Sequence, residues 1–157
     1  MRIRHGLGHE AERLREIRLR SLATDPEAFG ATFEGDASRP ADWWQRGASR
    51  SERGGQRTFV IVDEDDRWLG MALVRPDDES PGDAVINAMW VAPEARRQGM
   101  GRALLEACVD WAREHRFRAV NLAVRTVNAP ARAAYAAAGF RFERACRDEH
   151  RLKRSLV

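Results

Sequence analysis

Apolar residues recur along this chain with two periods, and the alternation between the periods predicts the elements. The opening "RIRH" has the length and pattern of a short strand. In "GHEAERLREIRLRSLAT", Leu14, Ile17, Leu19 and Leu22 fall at three- and five-residue separations with charges between them, which predicts an amphipathic helix ending before Pro26. The next stretch, "PEAFGATFEGDASRPADWWQRGAS", sets Phe29, Phe33, Trp43 and Trp44 among polar residues without a sustained period. It is expected to be irregular or weakly helical. Residues 59–62 and 68–74 are strand-like runs joined by "DEDD", most simply a solvated hairpin tip. "AVINAMWVAP" is a third such run, closed by Pro93.

Beyond "RRQGMG", Ala103, Leu104, Ala107, Cys108 and Trp111 share one helical face, which Leu105 and Ala112 widen. Residues 118–125, "RAVNLAVR", are apolar enough for a strand buried on both faces. Asn128 suits the cap of a following helix, Pro130 its first turn and Gly139 its C-terminal end. "FRFERACRDEHRLKRSLV" supplies one or two closing strands. Three consecutive strands predict an antiparallel meander, and the later strand–helix–strand step predicts a parallel crossover. The fold class expected is therefore a mixed α/β sheet.

Composition narrows this further. At 157 residues the chain fits one domain, residues 1–157, with a core of its own. A hydrophobic share of 43% and a charged share of 32% are those of a soluble globular protein. No apolar run reaches the ~20 residues of a membrane-spanning helix, and the start lacks the apolar centre of a signal peptide, so a cytoplasmic location is expected. Cys108 and Cys146 stand alone, outside any CxxC, and the four histidines show no ligand spacing, so no metal site is expected. The basic pI of about 9.5 is carried by arginine, since Lys153 is the only lysine. The charges alternate in sign instead of forming a basic block, which weighs against nucleic-acid binding but suits a polyanionic small molecule.

The candidate chemistry sits in "VAPEARRQGMGRALLE", residues 91–106. A strand that hands over to a helix through glycine-rich backbone leaves several N–H groups unpaired and pointing one way. Those donors and the positive end of the helix dipole suit an anion. Gly99 and Gly101 would let the backbone approach a phosphate closely, and Arg96, Arg97 and Arg102 add charge. A tight turn with close helix packing is the alternative. The pattern lacks both the GK[ST] of one common phosphate loop and the third glycine of GxGxxG.

This stretch resembles the signature of the Gcn5-related N-acetyltransferases (GNAT), R/Q-x-x-G-x-G/A between a strand and a helix. Here it reads Arg96-Arg97-Gln98-Gly99-Met100-Gly101. The resemblance continues in "LAVRTVNAPARAAYAAAGF", where Asn128 opens a helix, Tyr135 follows two turns later, and Gly139-Phe140 closes it. It covers residues 85–142 most strongly. It implies a mostly antiparallel sheet flanked by helices, with acetyl-CoA as co-substrate and its pyrophosphate on the turn formed by residues 96–102. It also implies that Met89, Trp90 and Val91, on a strand splayed from its neighbour, pair with the pantetheine arm. Asn128 would touch that arm, and Tyr135 would serve as general acid on the departing thiolate. A phenol near ~10 is reliably protonated beside a thiol near ~8.5, which makes that role chemically reasonable.

The amine acceptor must arrive neutral, yet the usual bases of the family are missing. Ala123 stands where some members carry a fifth-strand Glu, and residues 85–87 offer no fourth-strand Glu. Asp83, Glu34 or a water relay are the remaining candidates. By the same resemblance the acceptor cleft involves residues 29–44, with Phe29, Phe33, Glu34 and Trp43 as substrate contacts and the aromatics as an apolar or cation-binding wall. The alternative is that Phe29 and Phe33 pack under the sheet while Trp43 and Trp44 cover its edge. No covalent intermediate is expected, because no cysteine or serine is suitably placed. Two alternatives remain: a CoA-binding sensor without catalysis, and an acetyltransferase acting on an RNA-associated substrate such as aminoacyl-tRNA or a ribosomal protein. A homodimer is compatible with each.

Overall fold

The computed structural model describes all 157 residues. Its seven strands form one sheet in the order β1-β2-β3-β4-β5-β7-β6. They are β1 (Arg2–His5), β2 (Arg57–Val62), β3 (Trp68–Pro76), β4 (Ala84–Val91), β5 (Ala119–Arg125), β6 (Arg141–Cys146) and β7 (Glu149–Ser155). The helices are α1 (Ala11–Thr24), α2 (Phe33–Ala37), α3 (Ala41–Arg53), α4 (Met100–Glu114) and α5 (Ala129–Ala137). Every neighbouring pair is antiparallel except β4 and β5. The meander and the single parallel step thus stand as the sequence predicts, and the closing segment makes two strands. No helix is long and apolar enough to cross a membrane.

Two apolar layers sandwich the sheet. On one face, α4 buries Leu104, Leu105, Cys108, Val109 and Trp111 against Ala72, Val74, Ile86, Val120 and Leu122. On the other, Ile17 of α1 packs with Val60, Val62, Met71 and Trp90. The alternation along β2 and β3 explains this split, since neighbouring residues point to opposite faces.

The segment expected to be irregular is the clearest departure. Residues 41–53 form a regular helix, α3, and residues 33–37 a short one, α2. Thr32 caps α2 through its hydroxyl, which accepts from the Gly35 N–H at 3.1 Å. Trp44 and Ala48, four apart, are buried against Ala11 of α1. Only that narrow seam is apolar, so the helical period is faint in sequence. The "DEDD" turn is also more than a solvated tip. Asp66, with φ of +59°, accepts from Arg4 at 3.0 Å and from Arg13, tying the hairpin to β1 and α1.

β4 and β5 are joined for only two residue pairs, Ala84–Val120 and Val85–Asn121, and then diverge. At the closed end, the fully buried Asn121 donates through Nδ2 to Asp77 at 2.8 Å and to Asp83 at 3.1 Å. Arg151 and Lys153 of β7 neutralise those two carboxylates. At the open end, β4 carries a bulge: Leu73 faces Asn87, Met71 faces Trp90, and Ala88 and Met89 together oppose Ala72. Ala88 takes φ of +57°, the left-handed region, so the pleat shifts there and β4 bends from β5.

Two predictions follow from this arrangement. An alanine in the left-handed region is strained by roughly 1 kcal/mol relative to glycine. Ala88→Gly should therefore unfold no more easily than wild type in urea, while Ala88→Val should lose about 1–2 kcal/mol. The hydrogen bonds from Arg4 and then Arg13 pull the Asp66 carboxylate down to about 2 from an ordinary 3.8. A carboxylate lowered on folding stabilises the protein above its unfolded pKa and loses that contribution as pH falls through the folded value. The gap in urea midpoint between wild type and Asp66→Asn should accordingly be full near neutrality and close between pH 3.8 and about 2.

Candidate active site

Pro93 ends β4, a single 3₁₀ turn follows at Pro93–Ala95, and α4 begins at Met100. Residues 96–99 between them are exposed, and Arg97 and Gly99 are left-handed, with φ of +62° and +77°. The N–H groups of Arg97, Gln98 and Gly99 meet no acceptor in the chain. The first bond of α4 runs only from Ala103 N–H to Gly99 C=O, at 3.0 Å. A Cβ added to Gly99 would touch nothing within 4 Å, so conformation, not crowding, calls for glycine there. Gly101 is closer to its surroundings, its added Cβ lying 3.5 Å from Val91. A run of free donors at a helix N-terminus is chemically suited to a phosphate or other anion.

The arginines of this turn divide. Arg96 folds back, donating from Nε to the Val91 carbonyl at 2.9 Å and from Nη2 to Asp25 at 2.6 Å. Asp25 also accepts from Trp90 Nε1 at 2.7 Å. Burial works to raise the Asp25 pKa, but the hydrogen bonds from Trp90 and Arg96 outweigh it and keep the carboxylate ionised. The side chains of Arg96 and Trp90 are thus engaged in fastening the loop to the end of α1. Trp90 is buried on the α1 face and offers the opening between the strands its backbone alone. Arg102 bonds Glu106 at 3.1 Å and the Ala137 carbonyl at 3.3 Å, and Gln98 Nε2 bonds the Glu94 carbonyl at 3.1 Å. Arg97 is exposed and makes no ion pair, leaving its charge for a ligand.

Met89, Val91, Met100 and Tyr135 come from three elements yet border the same core cluster, each only partly buried. Tyr135 lies edge-on to Phe140, with ring centroids 6.2 Å apart, and its hydroxyl has no hydrogen-bond partner in the chain. Burial, with a smaller contribution from neighbouring Cys108, pushes the phenol up to about 12. Burial also pushes the Cys108 thiol far above its ordinary range, so that sulfur is inert. Asn128 caps α5, its Oδ1 accepting from the Ala131 N–H at 3.3 Å, and it remains half-exposed.

A cavity of about 600 Å³ lies on the opposite face, between α1, α2 and α3 above and β2, β3 and β4 below. Of the four residues expected to contact the acceptor, Trp43 lines it. Phe29, Phe33 and Glu34 stand outside its wall. Phe29 packs beneath Arg18, with the guanidinium 4.9 Å from its ring centroid, and Phe33 and Glu34 are exposed on α2. Asn87 and Ala88, the residues of the β4 bulge, form part of the floor, so the cavity reaches the place where β4 leaves β5. Of the candidate bases, Asp83 sits at the closed end of the strand pair, committed to Asn121 and Lys153, and faces neither space.

Sequence reasoning did not reach Asp25, the Ala88 bulge, or the arginines that line the cavity. Asp25 acts across 71 residues to Arg96, and isolated arginines carry no motif. An alanine gives no signal of a left-handed backbone.

Residues 12–140 match the family model "Acetyltransferase (GNAT) family". The chain is 37% identical over 124 residues to a streptothricin acetyltransferase from Streptomyces lavendulae, covering 79% of this chain and spanning 62% of that relative's length. Its fold is similar to that of a GCN5-related N-acetyltransferase from Kribbella flavida, at 26% identity and a TM-score of 0.79, covering 99% of this chain and 97% of that one. It is likewise similar to PaiA N-acetyltransferase from Thermoplasma acidophilum, solved in complex with coenzyme A, at 16% identity and a TM-score of 0.81, covering 98% of each. A family match spanning most of the chain, on a sheet that opens between β4 and β5 above a turn of free donors, leads to one conclusion: this chain belongs to the GNAT acetyltransferase family.

Proposed function

We propose that this protein transfers the acetyl group of acetyl-CoA directly to a primary amine, with Tyr135 as the general acid. The observation that carries this reading is the Tyr135 hydroxyl itself, half-buried, unbonded to the chain and bordering the same cluster as Met89, Val91 and Met100. In this reading the free N–H groups of residues 97–99, the start of α4 and Arg97 hold the pyrophosphate. The backbone of β4 beyond Val85, unpaired by β5, receives the pantetheine arm, with Asn128 beside it. The acetyl thioester supplies the electrophilic carbon. As the amine nitrogen bonds to that carbon, the carbon–sulfur bond breaks and the sulfur takes up negative charge.

Tyr135 meets that charge with its O–H. A phenol at about 12 is protonated at every working pH, so the donor is always loaded. It is a weaker acid than a free thiol near ~8.5, but the apolar surroundings that raise the phenol also raise a thiol formed beside it. The hydrogen bond forms where charge develops, and the proton follows as the thiolate departs. The acceptor enters through the cavity on the α1 face, and a water relay there takes the proton that the amine gives up. The whole chain, residues 1–157, is read as one catalytic domain working in the cytoplasm. The name of the Streptomyces lavendulae relative makes streptothricin one amine to include among the acceptors tried.

Tyr135→Phe should lower kcat by about 10²-fold or more while the KM for acetyl-CoA stays within about twofold. Equal kcat values for the two proteins would remove Tyr135 from the chemistry. The wild-type rate should rise with pH as the amine, near ~10.4 when free, gives up its proton. Because the phenol is held at about 12, no descending limb from Tyr135 should appear below pH 10. A fall in rate near pH 8–9 that vanishes in Tyr135→Phe would contradict this assignment.

A further inference from the structure

The cavity on the α1 face has a definite electrostatic character. Its charged lining consists of Arg18, Arg39, Arg50 and Arg75 against Asp36 and Asp78, four positive groups against two negative. Neither carboxylate is free. Asp36 is buried and accepts from Arg18 Nε at 3.0 Å and Arg39 Nε at 3.2 Å. Asp78 lies at the exposed rim and pairs with Arg75 at 3.3 Å, while Arg75 also donates to Asn87 at 2.9 Å.

What remains is a surplus of donors. Arg50 is exposed and has no ion-pair partner in the chain. Arg18 Nη1 and Trp44 Nε1, both from cavity-lining residues, are buried without any acceptor. One aromatic face that would otherwise attract a cation is already covered, the Arg39 guanidinium lying 4.3 Å from the Trp43 ring centroid. A polyamine entering here would meet like charge and no free carboxylate.

We propose that the acceptor is an amine that also carries a carboxylate, the carboxylate held by Arg50 within this positively charged lining, the amine directed to the β4 bulge at Asn87 and Ala88. This rests on the acetyl-transfer reading for what happens to the amine, but not for the binding itself. The volume of about 600 Å³ accommodates an amino acid or a short peptide. Guanidinium groups recognise carboxylates through paired, charge-assisted hydrogen bonds, which a neutral amide does not match.

The test separates binding from turnover. Binding to the CoA-loaded protein, which cannot react, is measured by calorimetry for L-amino acids and dipeptides beside their carboxamides, with spermidine as the cationic arm. Turnover with acetyl-CoA is measured for the same set. The carboxylated members should bind about tenfold more tightly than their amides, and spermidine should bind more weakly still. Arg50→Gln should erase that preference while leaving the affinity for CoA unchanged, and Arg50→Lys should restore part of it. A carboxylate preference in binding with no turnover of any amine would overturn acetyl transfer and leave the cavity assignment standing. Turnover in which amides or spermidine do as well as the carboxylated members would overturn the cavity assignment and leave acetyl transfer standing. No binding of any carboxylated member, or a preference that Arg50→Gln does not change, would also overturn it.

Discussion

The constraint that organises this fold is two neighbouring parallel strands that pair for two residues and then part. Divergence of sheet strands exposes backbone donors and acceptors, which is costly unless something else satisfies them. The protein holds the opening from both ends. At the closed end, Asn121 binds Asp77 and Asp83 together across the strand boundary, with Arg151 and Lys153 balancing their charge. At the open end, the left-handed Ala88 redirects β4, and Asp25 fixes Trp90 and Arg96 at the start of the turn whose N–H groups are free. The opening, the donor turn and the half-buried phenol of Tyr135 are therefore parts of one arrangement.

Charge is managed in a way that the arginine-rich composition conceals. Most arginines are tied within the chain: Arg4 and Arg13 to Asp66 and Glu10, Arg20 to Glu94, Arg102 and Arg154 to Glu106. Positive charge left unpaired then becomes informative. Arg97 sits on the donor turn and Arg50 beside the cavity, on the two sides from which a co-substrate and an acceptor would approach.

How much of this was legible in the sequence follows from the range of each signal. β2 to β5, α4 and α5 were legible because their apolar periods are strong and local, and Asn128, Pro130 and Gly139 bracket α5 by local backbone chemistry. The glycine turn was legible because its residue types and spacing form a signature, and Tyr135 because it follows the Asn128 helix cap by two turns. α3 was not, because Trp44 and Ala48 form only a narrow apolar seam among polar residues. The fates of Arg96 and Trp90 were not, because Asp25 reaches them from a distant helix. Of the cavity on the α1 face, Trp43 and Trp44 stood out in the sequence as aromatics, whereas Arg18, Arg39, Arg50 and Arg75 reach its wall from segments far apart in the chain and carry no local pattern.

The central claim is that acetyl-CoA lies between β4 and β5 with its pyrophosphate on the turn before α4. Hydrogen–deuterium exchange with and without acetyl-CoA tests it most directly, because that account fills N–H groups with no partner in the chain. Peptides covering residues 89–91 and 97–102 should gain protection, while β1 and the β2–β3 hairpin stay unchanged. Protection that falls elsewhere, or none at residues 97–102 at saturating acetyl-CoA, would contradict the account.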